Sequence, residues 1–265
     1  MSRSIDTKCI HLEKDPSDSI QTHFGSISYP IYQTATFAHP AVGKSTGFDY
    51  SKLQNPTHEH LEKIVASLEH GSSAFALSSG MAAISLLFEI FEPKDQIIAD
   101  TDLYGGSIRL FKHVSEKNGL QISLIDFSKE NIEKYARIAK KHKILLIVDN
   151  TFLSPYFQNP LELGADIVVH SGTKYLGGHN DTLAGFLVTN SKDIEEKFRF
   201  LIKTTGAGLA PFDSWLILRG FHPKNCTVDS VCRKPWRSRE PHHLPDYTDT
   251  RRCPRGNSRP KRNYR

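Results

Sequence analysis

The chain has 265 residues, of which 38% are hydrophobic and 10% aromatic, and these proportions are those of an ordinary globular protein. Its length is sufficient for one sizeable core, and no apolar run approaches the roughly 20 residues that span a bilayer. The N-terminus lacks the apolar centre of a signal peptide, so we expect a cytoplasmic protein with no membrane partner.

The net charge of +5 is unevenly distributed. Residues 221–265 hold 12 Lys and Arg against 4 Asp and Glu, which leaves residues 1–220 slightly acidic. Three of the four cysteines also lie in this tail, at spacings that match no usual zinc site, and no metal is expected. Six prolines and the lack of an apolar period predict a tail that is disordered or non-native sequence. Such a basic segment would bind nucleic acid only without specificity.

The N-terminal region, residues 1–60, is rich in Pro, Gly, Ser and Thr and has little periodicity, which predicts an extended arm with short helical pieces. An arm without its own core is stable when it lies on another subunit. After it, Asn55-Pro56-Thr57 predicts the start of a helix, which Gly71 ends. One face of that helix carries Leu61, Ile64, Val65 and Leu68.

Strands and helices alternate over residues 61–220. Strands are predicted to end at Leu77, Ala99, Ile125, Val148, Val169 and Val188, with helices at Ser107–Asn118, Glu130–Lys141 and Lys192–Leu201. This alternation predicts an α/β fold with a mostly parallel sheet, helices on both faces and a ligand site at the carboxyl ends of the strands.

Two of these strand ends carry residues suited to a ligand. Gly80 and Met81 open a helix and offer backbone N–H groups to an anion, while Tyr104 lies in a Gly-flanked turn. Each feature also has an ordinary interpretation. Ser79 before the helix is by default an N-cap, and a lone tyrosine in such a turn is more often a half-buried packing residue.

The most informative stretch follows Ile167-Val168-Val169, where a polar turn leads to Lys174. A lysine that has lost its proton is a nucleophile and forms a Schiff base with an aldehyde. The hydroxyls of Ser171 and Thr173 are suited to hold a phosphate, and Gly177-Gly178 allows the backbone to approach a bound group closely. An aldehyde together with a phosphate indicates pyridoxal 5'-phosphate (PLP).

Taken alone, this lysine turn would more often be a solvated loop. Asp149 favours the cofactor, because it closes the strand predicted at Lys143–Val148 and a carboxylate there is the partner that a pyridinium nitrogen needs. Val148–Pro155 reads VDNTFLSP and Ser171–His179 reads SGTKYLGGH. Together they resemble the Cys/Met-metabolism family of PLP-dependent enzymes, which includes cystathionine γ-synthase, cystathionine γ-lyase, cystathionine β-lyase and methionine γ-lyase.

The resemblance extends over about residues 20–220 and implies a fold-type I, PLP-dependent transferase-like fold. It implies that Lys174 carries the cofactor, that Asp149 partners the ring nitrogen, and that Tyr104 stacks on the ring and assists proton transfer. It also implies a set of phosphate-binding residues, namely Gly80, Met81, Ser171 and Thr173.

The arm segments Pro30–Phe37 and Gly47–Glu62 resemble the same family. The resemblance implies a homo-oligomer, a dimer of dimers, in which Tyr50 and Lys52 reach the cofactor phosphate of a neighbouring subunit. Lys52 stands where the family has an arginine, so it keeps the positive charge but loses the two-pronged hydrogen-bond geometry.

The implied activity is γ-replacement or γ-elimination on homoserine-derived amino acids in trans-sulfuration. Cystathionine β-lyase and methionine γ-lyase activities remain open, as does a truncated, catalytically inactive PLP-binding fragment. The resemblance stops at Gly220, so the family's C-terminal domain and its arginine for the substrate carboxylate have no counterpart. We therefore predict an arm (1–60), a PLP-binding α/β domain (61–220) and a tail (221–265).

Overall fold

The computed structural model describes residues 5–11 and 23–221, which belong to the unit Met1–Val231 of the chain. The predictions for the tail after residue 221 lie outside the described residues. Within the described ranges, no helix is both long and apolar enough to cross a membrane.

Helix α1 (Ile5–His11) lies within the predicted arm, and helix α2 (Pro56–Leu68) begins near the end of the arm. Between them, residues 23–54 contain isolated β-bridges, such as the one between Thr36 and Tyr50. The rest of the described chain runs β1 (Ser73–Leu77), α3 (Gly80–Phe88), β2 (Gln96–Asp100), α4 (Gly105–Leu110) with a π-helical turn at Phe111–Ser115, β3 (Gln121–Ile125), α5 (Ile132–His142), β4 (Ile147–Asp149), α6 (Ser154–Phe157), β5 (Ile167–Ser171), β6 (Gly185–Thr189), α7 (Lys192–Thr205) and α8 (Pro211–Gly220).

The strands form a four-stranded sheet in the order β1-β6-β5-β4 and a two-stranded sheet of β2 and β3. β4 pairs with β5 in parallel, as β2 does with β3, whereas β6 is antiparallel to both β1 and β5. The α/β class is confirmed, and the larger sheet is mixed. The reason is that β6 follows β5 through a loop, and a parallel neighbour would need a crossover helix between the two strands.

The fourth strand is shorter than the sequence predicted. The expected strand Lys143–Val148 is reduced to β4, Ile147–Asp149. Lys143 has φ +55° and caps the C-terminus of α5 in the left-handed conformation, which ends the helix and displaces the strand start. Ile144 and Leu145 are therefore exposed linker residues.

Two apolar clusters cover the two faces of the four-stranded sheet. On one face, here called the α2 face, α2 and α8 pack on Ala74, Ala76, Val168, Phe186 and Val188. On the other, the α3 face, α3 and α7 pack on Phe75, Leu77, Ile167, Val169 and Leu187. Alternate residues of each strand thus belong to opposite faces, as the two-residue period of a strand requires.

Candidate active site

A threonine joins the ends of β4 and β5. Asp149 lies opposite Val169 in the parallel register. The Thr151 hydroxyl donates to Asp149 Oδ1 at 2.5 Å and accepts the Ser171 backbone N–H at 2.8 Å. The Thr151 backbone N–H donates to the same carboxylate oxygen at 3.1 Å. One side chain therefore links the Asp149 carboxylate to the start of the lysine turn.

The N-terminus of α3 lies against Ser171. A Cβ added at Gly80 would be 2.9 Å from Ser171 Cβ and 3.1 Å from Ser171 Oγ, so a larger residue would displace the serine. Ser79 caps the helix by accepting the Ala82 N–H at 3.0 Å. In the part of the chain that the structure describes, the N–H groups of Gly80 and Met81 have no protein acceptor. Two donors thus remain at a helix end that attracts anions.

Lys174 is exposed and lies three residues beyond the end of β5. Its backbone N–H donates to Ser171 O at 3.2 Å, which closes a tight turn. The next ring, Tyr175, packs edge-on against Phe152 with centroids 6.3 Å apart. Because Phe152 lies just after Asp149 in the chain, this contact brings the lysine and aspartate segments to the same edge of the sheet.

Tyr104 is next to the first turn of α3. A Cβ at Gly106 would lie 2.4 Å from Tyr104 Cε1 and 3.0 Å from Met81 Sδ, so both side chains border that glycine. The tyrosine is 67% exposed. Most of the ring is therefore open to a ligand, in contrast to a packing tyrosine.

The remaining predicted residues are engaged elsewhere. Thr173 Oγ1 accepts the Ala184 N–H at 3.2 Å and faces the start of β6. Lys52 Nζ is 5.6 Å from the Tyr50 ring centroid, and a Cβ at Gly206 would lie 3.5 Å from Lys52 Cδ. The contacts of the described residues thus bring together Gly80, Met81, Tyr104, Asp149, Ser171 and Lys174, and they do not join Tyr50 and Lys52 to this group.

A buried polar cluster that sequence reasoning missed lies under the same edge, on the α2 face. Glu69 and His170 are 0% exposed and Asn150 is 1% exposed. His170 Nε2 lies 2.5 Å from Glu69 Oε1, and Asn150 Nδ2 donates to the same oxygen at 2.9 Å. One available signal was the histidine inside an otherwise β-branched strand, because a buried polar side chain needs a buried partner.

A separate cavity of about 250 Å³ is lined by Leu53, Gln54, His58, Glu62, Phe75, Arg199, Ile202 and Lys203. Burial raises the pKa of Glu62, although His58 at 3.2 Å and the backbone N–H of Ala76 act in the opposite direction. None of the predicted site residues lines this cavity. The cavity and the sheet-edge site are therefore distinct.

An α/β sheet that presents a lysine, a carboxylate and a helix N-terminus at one edge has the parts of a PLP-binding domain. The sequence profile of the family described as "Cys/Met metabolism PLP-dependent enzyme" matches residues 6–134 and 129–225. The chain therefore belongs to the Cys/Met-metabolism family of PLP-dependent enzymes, as its motifs predicted.

Individual relatives support the same assignment. The chain is 43% identical to the cystathionine γ-synthase/O-acetylhomoserine (thiol)-lyase of Bacillus subtilis, over 83% of this chain and 65% of that protein. It is 41% identical to a cystathionine β-lyase of Lactococcus lactis, over 82% and 63%. The crystal structure of the cystathionine γ-lyase of Lactobacillus plantarum, complexed with L-serine, superposes with a TM-score of 0.76 at 36% identity, over 83% and 63%. The chain thus spans less than two thirds of the length of these proteins.

Proposed function

We propose that the chain is a PLP-dependent enzyme of sulfur amino-acid metabolism that catalyses γ-replacement or γ-elimination on homoserine-derived substrates. Its family supports the cofactor, and the similarity to a γ-synthase and a γ-lyase supports the reaction type. The observation that carries the proposal is the continuous arrangement from Asp149 through Thr151 to Ser171 and on to Gly80.

The donors and acceptors at this edge fit PLP. A phosphate needs N–H and O–H donors, which are present at Gly80, Met81 and Ser171. A pyridine nitrogen needs a carboxylate and an aldehyde needs an amine, and these groups are Asp149 and Lys174. The Thr173 hydroxyl donates to Ala184 O at 3.4 Å, and it would have to leave that acceptor before it could donate to the phosphate.

When bound, PLP supplies an electron sink that stabilises negative charge at the substrate α-carbon. Lys174 would hold the cofactor through Nζ, and its amine would also be the group that moves protons at the substrate carbons. Asp149 would keep a proton on the ring nitrogen. Two hydrogen bonds from Thr151 to Asp149 Oδ1 orient the carboxylate for that task. Tyr104 would stack on the ring and orient it.

Two alternatives rest on specific observations. The identities to the γ-synthase and the β-lyase, 43% and 41%, are too similar to separate γ-chemistry from β-elimination. The alternative of a different class is a chain that binds PLP without turnover; the chain spans 65% and 63% of these two relatives.

The first experiment tests cofactor binding by the full chain. Incubation with PLP should produce an absorbance band that borohydride removes by fixing the cofactor to the protein. Lys174→Ala should abolish this covalent fixation, while Lys117→Ala, which changes an exposed lysine on another element, should keep it. A wild-type chain that gains no band would overturn the proposal.

The second experiment tests turnover by the PLP-loaded chain. O-acylhomoserine with cysteine should give cystathionine if the activity is γ-replacement, and cystathionine alone should give cysteine and 2-oxobutyrate if it is γ-elimination. Release of homocysteine and pyruvate would indicate β-elimination instead. Cofactor binding without any product would favour the inactive fragment and overturn the enzymatic part of the proposal.

Assembly is part of the same proposal. We propose a homo-oligomer in which Tyr50 and Lys52 contact the cofactor phosphate of a neighbouring subunit, as the family resemblance implies. Lys52→Arg should then strengthen PLP binding, because a guanidinium forms two parallel hydrogen bonds to a phosphate. A monomer in light scattering would contradict the oligomer. The cytoplasmic location stays a prediction.

A further inference from the structure

A single buried carboxylate is bonded to the neighbours of two site residues. Glu69 directly follows α2 and its Oε1 contacts Asn150 Nδ2 at 2.9 Å and His170 Nε2 at 2.5 Å. Asn150 follows Asp149 in the chain, and His170 precedes Ser171. Because side chains alternate between the two faces, Asp149 and Ser171 lie on the α3 face, whereas Asn150 and His170 contact Glu69 on the α2 face.

The orientation of the Asn150 amide follows from its two contacts with Gln158. Asn150 Nδ2 also lies 2.8 Å from the Gln158 backbone oxygen, and Asn150 Oδ1 accepts from Gln158 Nε2 at 3.1 Å. A carbonyl oxygen only accepts, so Nδ2 is the donor and Glu69 Oε1 is its acceptor. His170 Nε2 lies 2.5 Å from the same Glu69 oxygen. The Asn150 backbone N–H donates to Val169 O at 2.9 Å and connects the same two strands.

A buried polar cluster of this kind has a cost in folding free energy. In the described part of the chain, Glu69 Oε2 and His170 Nδ1 are buried without a hydrogen-bond partner. Burying a carboxylate has a desolvation cost that apolar side chains of similar volume avoid, and unpaired buried polar atoms add to it. Buried polar networks can in return specify one arrangement of the elements that they join.

We propose that Glu69 is a positioning residue for the PLP site. By bonding to Asn150 and His170 it holds the ends of β4 and β5 in register, so that Asp149 and Ser171 keep the separation that Thr151 bridges on the other side. The inference rests on the proposed function, because it assigns Glu69 a role toward the cofactor. Glu69 itself acts only through the two strand ends.

The test compares Glu69→Leu with Glu69→Gln and with a matched control. Leucine has a similar volume but removes the contacts of Glu69 Oε1 with Asn150 and His170. Glutamine keeps an oxygen acceptor at this position, so Glu69→Gln should behave much like the wild type. Glu162→Leu is the control, because Glu162 Oε1 also lies 2.5 Å from a histidine nitrogen, His70 Nδ1, but its side chain is 59% exposed.

Hydrogen exchange of the full chain without cofactor is the first readout. In Glu69→Leu the N–H groups of Asn150 and Ser171, which close the strand ends, should exchange about tenfold faster than in the wild type. Amides in the middle of β6 should be unchanged, and so should every amide in Glu162→Leu. Unchanged exchange at Asn150 and Ser171 would overturn the inference whether or not PLP binds.

Cofactor affinity is the second readout, measured well below the unfolding temperature of each variant. Glu69→Leu should raise the Kd for PLP about tenfold and Glu69→Gln should restore it to within about threefold. Equal Kd values for Glu69→Leu and the wild type would overturn the inference about Glu69 and leave the proposed function standing. A wild type that binds no PLP would overturn the proposed function, and hydrogen exchange would still decide whether Glu69 holds the strand ends. If Glu69→Leu does not fold, Asn150→Ala replaces it with the same readouts and criteria.

Discussion

The two faces of the sheet differ sharply at the ends of β4 and β5, although adjacent residues supply both. On the α2 face, Asn150 and His170 are at most 1% exposed and are bonded to Glu69. On the α3 face, Asp149 is exposed and Ser171 is partly exposed. The difference shows that the alternation of side chains along a strand can place supporting residues on one face and ligand-facing residues on the other. The buried face can then be rigid while the other face stays open to a ligand.

The largest expected effect comes from removing the contact between Glu69 and His170 on the α2 face. His170→Ala removes the buried partner that lies 2.5 Å from Glu69 Oε1, which should lower the free energy of unfolding by about 3–5 kcal/mol. Glu162→Ala breaks the exposed pair with His70 and should cost at most about 1 kcal/mol, because solvent screens it. Urea unfolding measures both. Equal losses of unfolding free energy in the two variants would show that the buried Glu69–His170 contact contributes no more to stability than the exposed pair.

The next effect concerns the contact between α3 and β5 on the open face. Gly80→Ala would place a Cβ 2.9 Å from Ser171 Cβ, and we expect a loss of about 1–3 kcal/mol together with weaker PLP binding. Gly105→Ala is the control, because no heavy atom lies within 4 Å of its added Cβ. Differential scanning calorimetry and PLP titration should separate the two variants. A Gly80→Ala protein with wild-type PLP affinity would contradict the assignment of α3 to the phosphate.

Thr151 joins Asp149 to Ser171 on the open face. Thr151→Val keeps the shape but removes the hydroxyl, so the Ser171 N–H loses its acceptor, and a loss of about 1 kcal/mol is expected. Thr34→Val, at an exposed hydroxyl that bonds to Thr36 O, should cost less than about 0.5 kcal/mol. Chemical denaturation checks the stability, and PLP titration of Thr151→Val should show weaker binding. Unchanged affinity would remove Thr151 from the site.

The smallest effect separates burial from hydrogen bonding at two carboxyls outside the site. Burial raises the pKa of Glu62, so the folded state binds a proton that the unfolded state has lost, and this contribution to stability falls as pH rises from about 4 through the raised pKa. A hydrogen bond from the Ser73 hydroxyl at 2.6 Å is the main cause that lowers the pKa of Glu195, so its contribution is present at neutral pH and lost on acidification.

Urea midpoints from pH 4 to pH 8 test the two signs. Glu62→Gln should gain stability relative to the wild type as pH rises, whereas Glu195→Gln should lose stability relative to the wild type over the same change. Parallel pH profiles for the two variants would show that burial does not govern Glu62.

Local motifs predicted much of the site but not its connections. Gly80, Asp149 and Lys174 were identified because each follows a recognisable strand and lies in a short, characteristic segment. No local motif indicates a role for Thr151, because its hydroxyl acts on Ser171, twenty residues away along the chain. The length of β4 was wrong because a left-handed Lys143 ends α5, and nothing in an apolar run of residues signals that cap.

The sequence by itself determined the α/β class and the family, and it predicted Lys174 and Asp149 as site residues, because periodicity and short motifs are properties of neighbouring residues. Only the tertiary structure decided that β6 runs antiparallel and that Glu69 bonds to His170, 101 residues further along the chain. The physical reason is that such a bond forms only where α2 packs on the sheet. The packing of distant segments, not the local pattern, decides which polar groups meet in the interior.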